Sequence, residues 1–359
     1  MEDSAGRHPG YRVVVTGATG NVGTSVVHAL GALPEVTSIV GLARRDAPWS
    51  APKTRLVRAD VARDDLGALL RGADAVIHLA WLFQPARRPE LTWRNNVLGS
   101  VRVFEAAAGA GAPALIYASS VGAYSPGPKD RKVDESWPTH GWPGAAYTRE
   151  KAYLERYLDG FERAHPEMRV VRMRPAFIFK RESASQQRRL FAGPFVPGGL
   201  VRPSLIPVVP DVPGLRVQAL HTADAADAYA RAVVRPVRGA FNLAAEPVVD
   251  GRLLARVLGA RAVTVPAGIV RAAVAAAWRL RLVPATPGLF DAVLRVPLLS
   301  AARARAELGW SPAYSAEYAL GEFLAGLREG AGMPTPPLAP KARGGGRWHE
   351  LVTGVGERP

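Results

Sequence analysis

Tyr147 and Lys151 stand in the run Y-T-R-E-K at the start of a segment with helical periodicity. Residues four apart share one helix face, so the ammonium can sit beside the phenol. A free tyrosine titrates near pH ~10. A neighbouring cation favours the phenolate and lowers that value, which lets Tyr147 exchange a proton with a substrate hydroxyl or carbonyl. Ser120 follows an apolar run at 114–119 and offers a hydroxyl that can hold the same oxygen. Taken singly these features are common, since a Y-x-x-x-K can be a solvated face and Ser119-Ser120 can cap a turn. Their force comes from what must position them.

That framework begins at residues 11–30, YRVVVTGATGNVGTSVVHAL. Val13-Val14-Val15-Thr16 reads as a buried strand, and Val22, Val26, Val27 and Leu30 recur at helical spacing. Between them lie Gly17, Gly20 and Gly23. A strand, a tight glycine turn and a helix N-terminus make an anion site, where backbone N–H groups and the helix dipole favour a phosphate. Gly17 permits the turn, Gly20 the approach of a pyrophosphate, and Gly23 close helix–strand packing. Strands are predicted at 36–42, 54–58, 75–80, 114–119 and 169–175, and helices at 64–70, 93–108 and 147–164. This alternation predicts an α/β fold with a parallel sheet covered on both faces. Ser120 then falls at the carboxyl edge of the sheet, where ligands bind. Beyond residue 175 the alternation breaks down, 181–217 is rich in Pro, Gly and Arg, and 241–243 returns to the sheet. Residues 1–10 and 329–359 are expected to be flexible, with an α/β unit over 11–175 that takes a strand return near 216–245.

The chain has 359 residues, 48% hydrophobic and 21% charged, enough for a large core. Its formal charge is +15, but the basic residues are scattered and no basic run is interleaved with aromatics, so nucleic-acid binding is not expected. Cysteine is absent, which leaves no disulfide framework or thiolate chemistry, predicts no metal site and suits a cytoplasmic protein. No secretory signal is read at the N-terminus. The apolar stretch near 266–282 is interrupted by Arg271, Arg279 and Arg281 and is too short to span a bilayer. It reads as a core or amphipathic helix, with interfacial membrane contact as a lesser reading.

With these residues in this order, the chain resembles an extended short-chain dehydrogenase/reductase of the NAD-dependent epimerase/dehydratase family over roughly residues 11–328. The resemblance rests on TGATGNVG at 16–23, Asp60-Val61, His78-Leu79-Ala80, Asn96-Val97 with Gly99, YASSVGAY at 117–124, and Tyr147/Lys151. Arg174-Pro175, His221 with Asp224, and AELGW at 306–310 extend it. It implies a Rossmann-type doubly wound parallel sheet with a smaller, mostly C-terminal substrate-binding region, the NAD(P)-binding domain over 11–175 and the substrate region over 176–215 and 246–328. It also implies a dinucleotide held by Gly17, Thr19, Gly20, Asn21, Val22 and Gly23, by Asp60 and Val61 near the adenine, and by Leu79, Ala80, Trp81, Tyr147, Lys151 and Pro175. It further implies that Ser120, Tyr147 and Lys151 are catalytic, that Asn96 supports the proton path, and that a homodimer forms through the helices near 93–108 and 147–164.

Departures from the family narrow the chemistry. Val121-Gly122-Ala123 carries no acid where the dehydratases have an Asp-Glu pair, which disfavours dehydration. Phe177 stands where nucleotide-sugar members have an Asn. Trp81 and Phe83 follow the fourth strand, so the expected substrate contacts are Trp81, Phe83, Ser120 and Phe177. The function expected is NAD(P)-dependent hydride transfer on a carbonyl/alcohol of a small metabolite, the aromatic rim favouring a hydrophobic body. The alternatives are a nucleotide-sugar epimerase with tightly bound cofactor and, from another class, a non-catalytic dinucleotide sensor. The second strand ends Ala43-Arg44-Arg45, without the acid that accepts from the adenine ribose hydroxyls. Arg44, seconded by Arg45, suits a 2′-phosphate, so NADP is the expected coenzyme, with NAD as the alternative.

Overall fold

The computed structural model describes residues 10–84, 86–193 and 206–340. Seven strands form the central sheet: β1 Tyr11–Thr16, β2 Val36–Ala43, β3 Thr54–Arg58, β4 Ala75–His78, β5 Ala114–Ala118, β6 Arg169–Pro175 and β7 Gly239–Leu243. Their order is β7-β6-β5-β4-β1-β2-β3, and every neighbouring pair is parallel. The chain runs outward from β1 to β3, then crosses back to β4 on the other side of β1. That reversal opens a crevice beyond the carboxyl ends of β1 and β4, the switch point where such sheets take ligands.

Period-two alternation splits β1 between two cores. Val13 and Val15 pack with Val26, Val27 and Leu30 of α1 (Asn21–Ala32) on one face. Val14 faces the opposite core with Val103 and Phe104 of α2 (Gly99–Gly109) and Leu154, Leu158 and Phe161 of α3 (Ala146–Ala164). Both faces are therefore covered, as near-continuous apolar strands require. A further helix, α4 (Thr222–Val234), packs against α1 on the first face.

The expected strands are present within a residue or two at each end, and the helix expected at 64–70 is shorter, Gly67–Leu70. The return at 241–243 is β7, paired with β6. Ala219–His221 instead pairs with Phe177–Phe179 in a separate two-stranded sheet. The late motif residues prove structural. Trp310 is fully buried, and its indole donates to the Asp224 carbonyl at 2.8 Å. The Asp224 carboxylate accepts from the backbone N–H groups of Ala313 and Tyr314.

The expected tail differs from the structure. Helix Ala316–Glu329 ends at Gly330, and residues 331–340 fold back onto the body. Leu338 and Thr335 are buried, and the Arg189 guanidinium donates to the carbonyls of Pro337 (3.0 Å) and Ala339 (2.9 Å). Composition alone points to a loose end, because the segment has few apolar anchors. One buried leucine and one long-range arginine suffice to hold it. Residues 1–9 and 341–359, the rest of the expected flexible termini, lie outside the described residues.

Candidate active site

Thr16 ends β1 and His78 ends β4, and their side chains tie the two strand ends at 2.7 Å. The Ser100 hydroxyl donates to the Asn96 carbonyl, so it accepts from His78 Nε2–H at 2.8 Å. His78 Nδ1 then accepts from Thr16, whose oxygen accepts from Leu79 N–H and Ala80 N–H. Burial, aided by the Lys151 charge, pushes the His78 imidazole down to about 3. His78 is thus a neutral strut that shapes the crevice floor, and no proton shuttle.

Gly17, at φ +71, brings the loop against β4: a Cβ there would lie 2.8 Å from Ala80 N. A Cβ on Gly23 would lie 2.1 Å from the Gly17 carbonyl, so α1 sits directly under the loop. The α1 N-cap is Gly20, with no side-chain cap and no acid in the first turn. The helix N-terminus is left for an anion to satisfy. The cleft above it is lined by Gly17, Thr19 and Gly20, by Ala43, Arg44 and Arg45, by Asp60 and Val61, and by Leu79, Ala80 and Trp81. These residues fit a dinucleotide: a cradle that a side chain would fill for the pyrophosphate, and the ends of β2 and β3 for the adenosine.

Asn21, Val22 and Gly23 are absent from the cleft wall, although the first turn of α1 points its backbone toward it; the Asn21 and Val22 side chains turn away. Asn21 accepts from the Thr222 hydroxyl at 3.4 Å, and Val22 packs on the core. Pro175 is buried at the end of β6, in register with Leu243, and is also absent from that wall.

The cleft has walls that sequence reasoning missed. Gln186, Pro336 and Pro337 face the glycine loop across it. Pro336 and Pro337 belong to the folded-back 331–340 segment, whose anchor Arg189 is buried. Their only sequence signal is the cluster Pro334-Thr335-Pro336-Pro337, which reads equally well as a linker.

The reacting end lies on α3 and the loops after β4 and β5. The helix from Pro89 widens over Trp93–Leu98 into a π-type turn before α2, a geometry common at functional sites. That turn presents Asn95 and Asn96 to the crevice. The Asn96 side chain hydrogen-bonds to Leu82 and Glu150 rather than to Lys151. Its carboxamide clamps Leu82, accepting from the backbone N–H at 2.7 Å and donating to the carbonyl at 2.8 Å. Its second N–H donates to Glu150 Oε2 at 2.8 Å. Asn96 thus positions the loop that carries Trp81 and Phe83. Glu150, not singled out from sequence, also accepts from the Thr92 hydroxyl at 2.6 Å. Burial pushes its carboxyl up, against those two hydrogen bonds.

Tyr147 lines an aromatic cavity with Trp81, Phe83, Phe191, Leu190 and Leu289. Phe83 stacks on it at 5.2 Å, and Trp81 meets it edge-on at 5.7 Å. Burial pushes the Tyr147 phenol up to about 12, and the Ser120 hydroxyl beside it pulls the other way. The expected depression by Lys151 is absent. The ammonium lies 6.0 Å from the Tyr147 ring, and burial lowers Lys151 itself to about 7. Lys151 donates to the Ala118 carbonyl at 2.6 Å and rests 3.4 Å over the Trp81 ring. Ser120 Oγ accepts from Gly122 N–H at 3.0 Å, which leaves its own proton for an incoming oxygen.

Phe177 departs from expectation. It packs against the cluster of Val121, Tyr124, Val133, Val296 and Leu299 and is absent from the wall of the Tyr147 cavity. Its strand pairs with Ala219–His221, and that pairing turns the ring into a satellite core.

Comparison with known proteins places this geometry. The model of the NAD dependent epimerase/dehydratase family matches residues 13–197. UDP-glucose 4-epimerase 3 of Oryza sativa subsp. japonica is 28% identical over 183 residues, 46% of this chain and 48% of that protein. UDP-glucose 4-epimerase of Streptomyces lividans is 30% identical over 162 residues, 43% of this chain and 48% of that protein. An uncharacterized protein of Mycobacterium tuberculosis is 28% identical over 327 residues, 90% of this chain but 31% of its own length. The chain therefore spans about half or less of the length of these relatives. Among solved structures, the Thermus thermophilus UDP-glucose 4-epimerase complex with NAD superposes with a TM-score of 0.65 at 21% identity, covering 88% of this chain and 99% of that one. The glycine loop, the crevice at the switch point and the family match agree, and this chain belongs to the NAD dependent epimerase/dehydratase family.

Proposed function

We propose that this chain is an NAD(P)-dependent oxidoreductase acting on the carbonyl/alcohol carbon of a small metabolite with a hydrophobic body. The observation that carries this reading is the Tyr147 phenol on the wall of an aromatic cavity, with Ser120 beside it and Lys151 one helical turn away. The nicotinamide, when bound, supplies or accepts the hydride. The protein's part is to hold an oxygen and move a proton. Ser120 Oγ, oriented by Gly122 N–H, donates to the substrate oxygen. Tyr147 Oη gives up or takes the proton on that oxygen, and the rings of Trp81 and Phe83 exclude water around it. Lys151, one helical turn along α3 from Tyr147, would hold the nicotinamide ribose.

The coenzyme proposed is NADP(H), with NAD as the alternative. Ala43 stands where a ribose-binding acid would be, exposed Arg44 and Arg45 line the adenosine end, and Asp46 is absent from the wall. A homodimer is proposed through the helices near 93–108 and 147–164, where Trp93 and Tyr153 meet at 4.9 Å and stay exposed, as does Leu98. The cysteine-free composition supports a cytoplasmic setting.

A second reading, a nucleotide-sugar epimerase, is favoured by the names of the rice and Streptomyces relatives. Following NADPH and NADH absorbance with a panel of apolar ketones decides between them. Steady consumption that Tyr147→Phe abolishes supports the oxidoreductase. Sugar-nucleotide interconversion with no net coenzyme change would overturn it.

A further inference from the structure

We infer that the helix Ala267–Arg279, with the stretch through Leu282, docks on an anionic lipid surface. The helix reads AGIVRAAVAAAWR, yet none of its residues is buried. Ile269 is 61% exposed, Leu280 69% and Leu282 41%. Val270, Val274 and Trp278 are half-buried, while Ile269, Ala272 and Ala276 leave an apolar face in water that forgoes the burial which normally stabilises such an element. Among the described residues nothing covers this face.

Charge says what fits it. From residue 251 to 290 there is no Asp or Glu, while Arg252, Arg256, Arg261, Arg271, Arg279 and Arg281 are present. Arg271 is neutralised by Asp291 at 2.9 Å. Arg279 and Arg281 alternate with Leu280 and Leu282, so cations and apolar side chains leave the body together. Apolar bulk flanked by arginine is the pattern of a helix lying in the headgroup plane. At 13 residues the helix cannot cross a bilayer, which leaves an interfacial position. Pro284, Ala285, Thr286 and Leu289, directly after this stretch, form one wall of the Tyr147 cavity. Docking here would bring the catalytic cavity beside the lipid, where apolar alcohols and ketones concentrate.

Co-sedimentation of the full chain with phosphatidylcholine vesicles, with and without phosphatidylglycerol, tests this. Binding is expected on the anionic vesicles only, weakening as salt rises. Ile269→Glu with Leu280→Glu, both exposed positions, should lower the partition coefficient by about ten-fold or more with the thermal melt unchanged. Arg279→Gln and Arg281→Gln should each lower it about five-fold. Arg55→Gln, exposed on the edge strand β3, should leave it unchanged. No binding by the full chain, or an equal loss from Arg55→Gln, overturns the inference. So does a dimer that Ile269→Glu with Leu280→Glu dissolves while vesicles go unbound.

Discussion

Glu155 lies one turn beyond Lys151 on α3, and replacing it with glutamine tests how the catalytic segment is held. Its carboxylate is fully buried and accepts from Arg174 through Nε at 2.9 Å and Nη2 at 2.8 Å, from Arg172 at 3.1 Å, and from the Ser119 hydroxyl at 2.5 Å. Burial pushes the carboxyl up, but the Arg174 hydrogen bonds and charge, the Arg172 charge and the Ser119 hydroxyl outweigh it and bring the group from 4.5 down to about 2. At ~1.4 kcal/mol per pH unit, that displacement corresponds to about 3 kcal/mol of folding stability. Removing one partner of a buried ion pair costs ~3–5 kcal/mol, the same order. Arg172 keeps Asp159 and Glu162, so the damage falls mainly on Arg174. Because the folded carboxyl titrates lower than the unfolded one, the stabilisation is complete above the unfolded value and is lost as pH falls toward about 2. Urea denaturation of wild type and Glu155→Gln should therefore show a gap of about 3 kcal/mol at neutral pH that narrows steadily below pH ~4.5. A neutral-pH gap under ~1 kcal/mol, or one that does not narrow in acid, would refute the assignment.

Tyr147→Phe should lower kcat by about two to four orders of magnitude with coenzyme affinity retained, checked by turnover and fluorescence titration. Arg44→Ala should weaken NADPH by about one to two orders of magnitude and NADH hardly at all, at fixed salt. Equal or tighter NADH binding by the wild type would rule out the proposed NADP(H) preference. Arg189→Ala unties the 331–340 segment from Pro337 and Ala339, so coenzyme dissociation in stopped flow should accelerate several-fold. An unchanged rate would show that Pro336 and Pro337 wall the cleft without gating it.

The order of elements and the glycine loop were legible in the chain itself, because each rests on short-range physics, and the family was legible as a resemblance carried by motifs. β-branched runs, helical spacing and glycines at a strand-to-helix turn are local properties. Gly17 and Gly23 had to be glycine for contacts that the spacing already announces. Tyr147 and Lys151 share a helix face by periodicity alone, and strand periodicity alone divides the residues of β1 between two cores. What tertiary structure decided depends on partners far apart in sequence. Asn96 became a clamp on Leu82 because Glu150, 54 residues on, took its second N–H. Phe177 left the substrate cavity because its strand found Ala219–His221, and the expected tail became a cleft wall because Arg189, about 150 residues earlier, reached its carbonyls. The Tyr147 phenol rose where sequence logic had it falling. Pair spacing predicts a neighbouring charge, but only the packed structure shows how much water has been removed from around both groups.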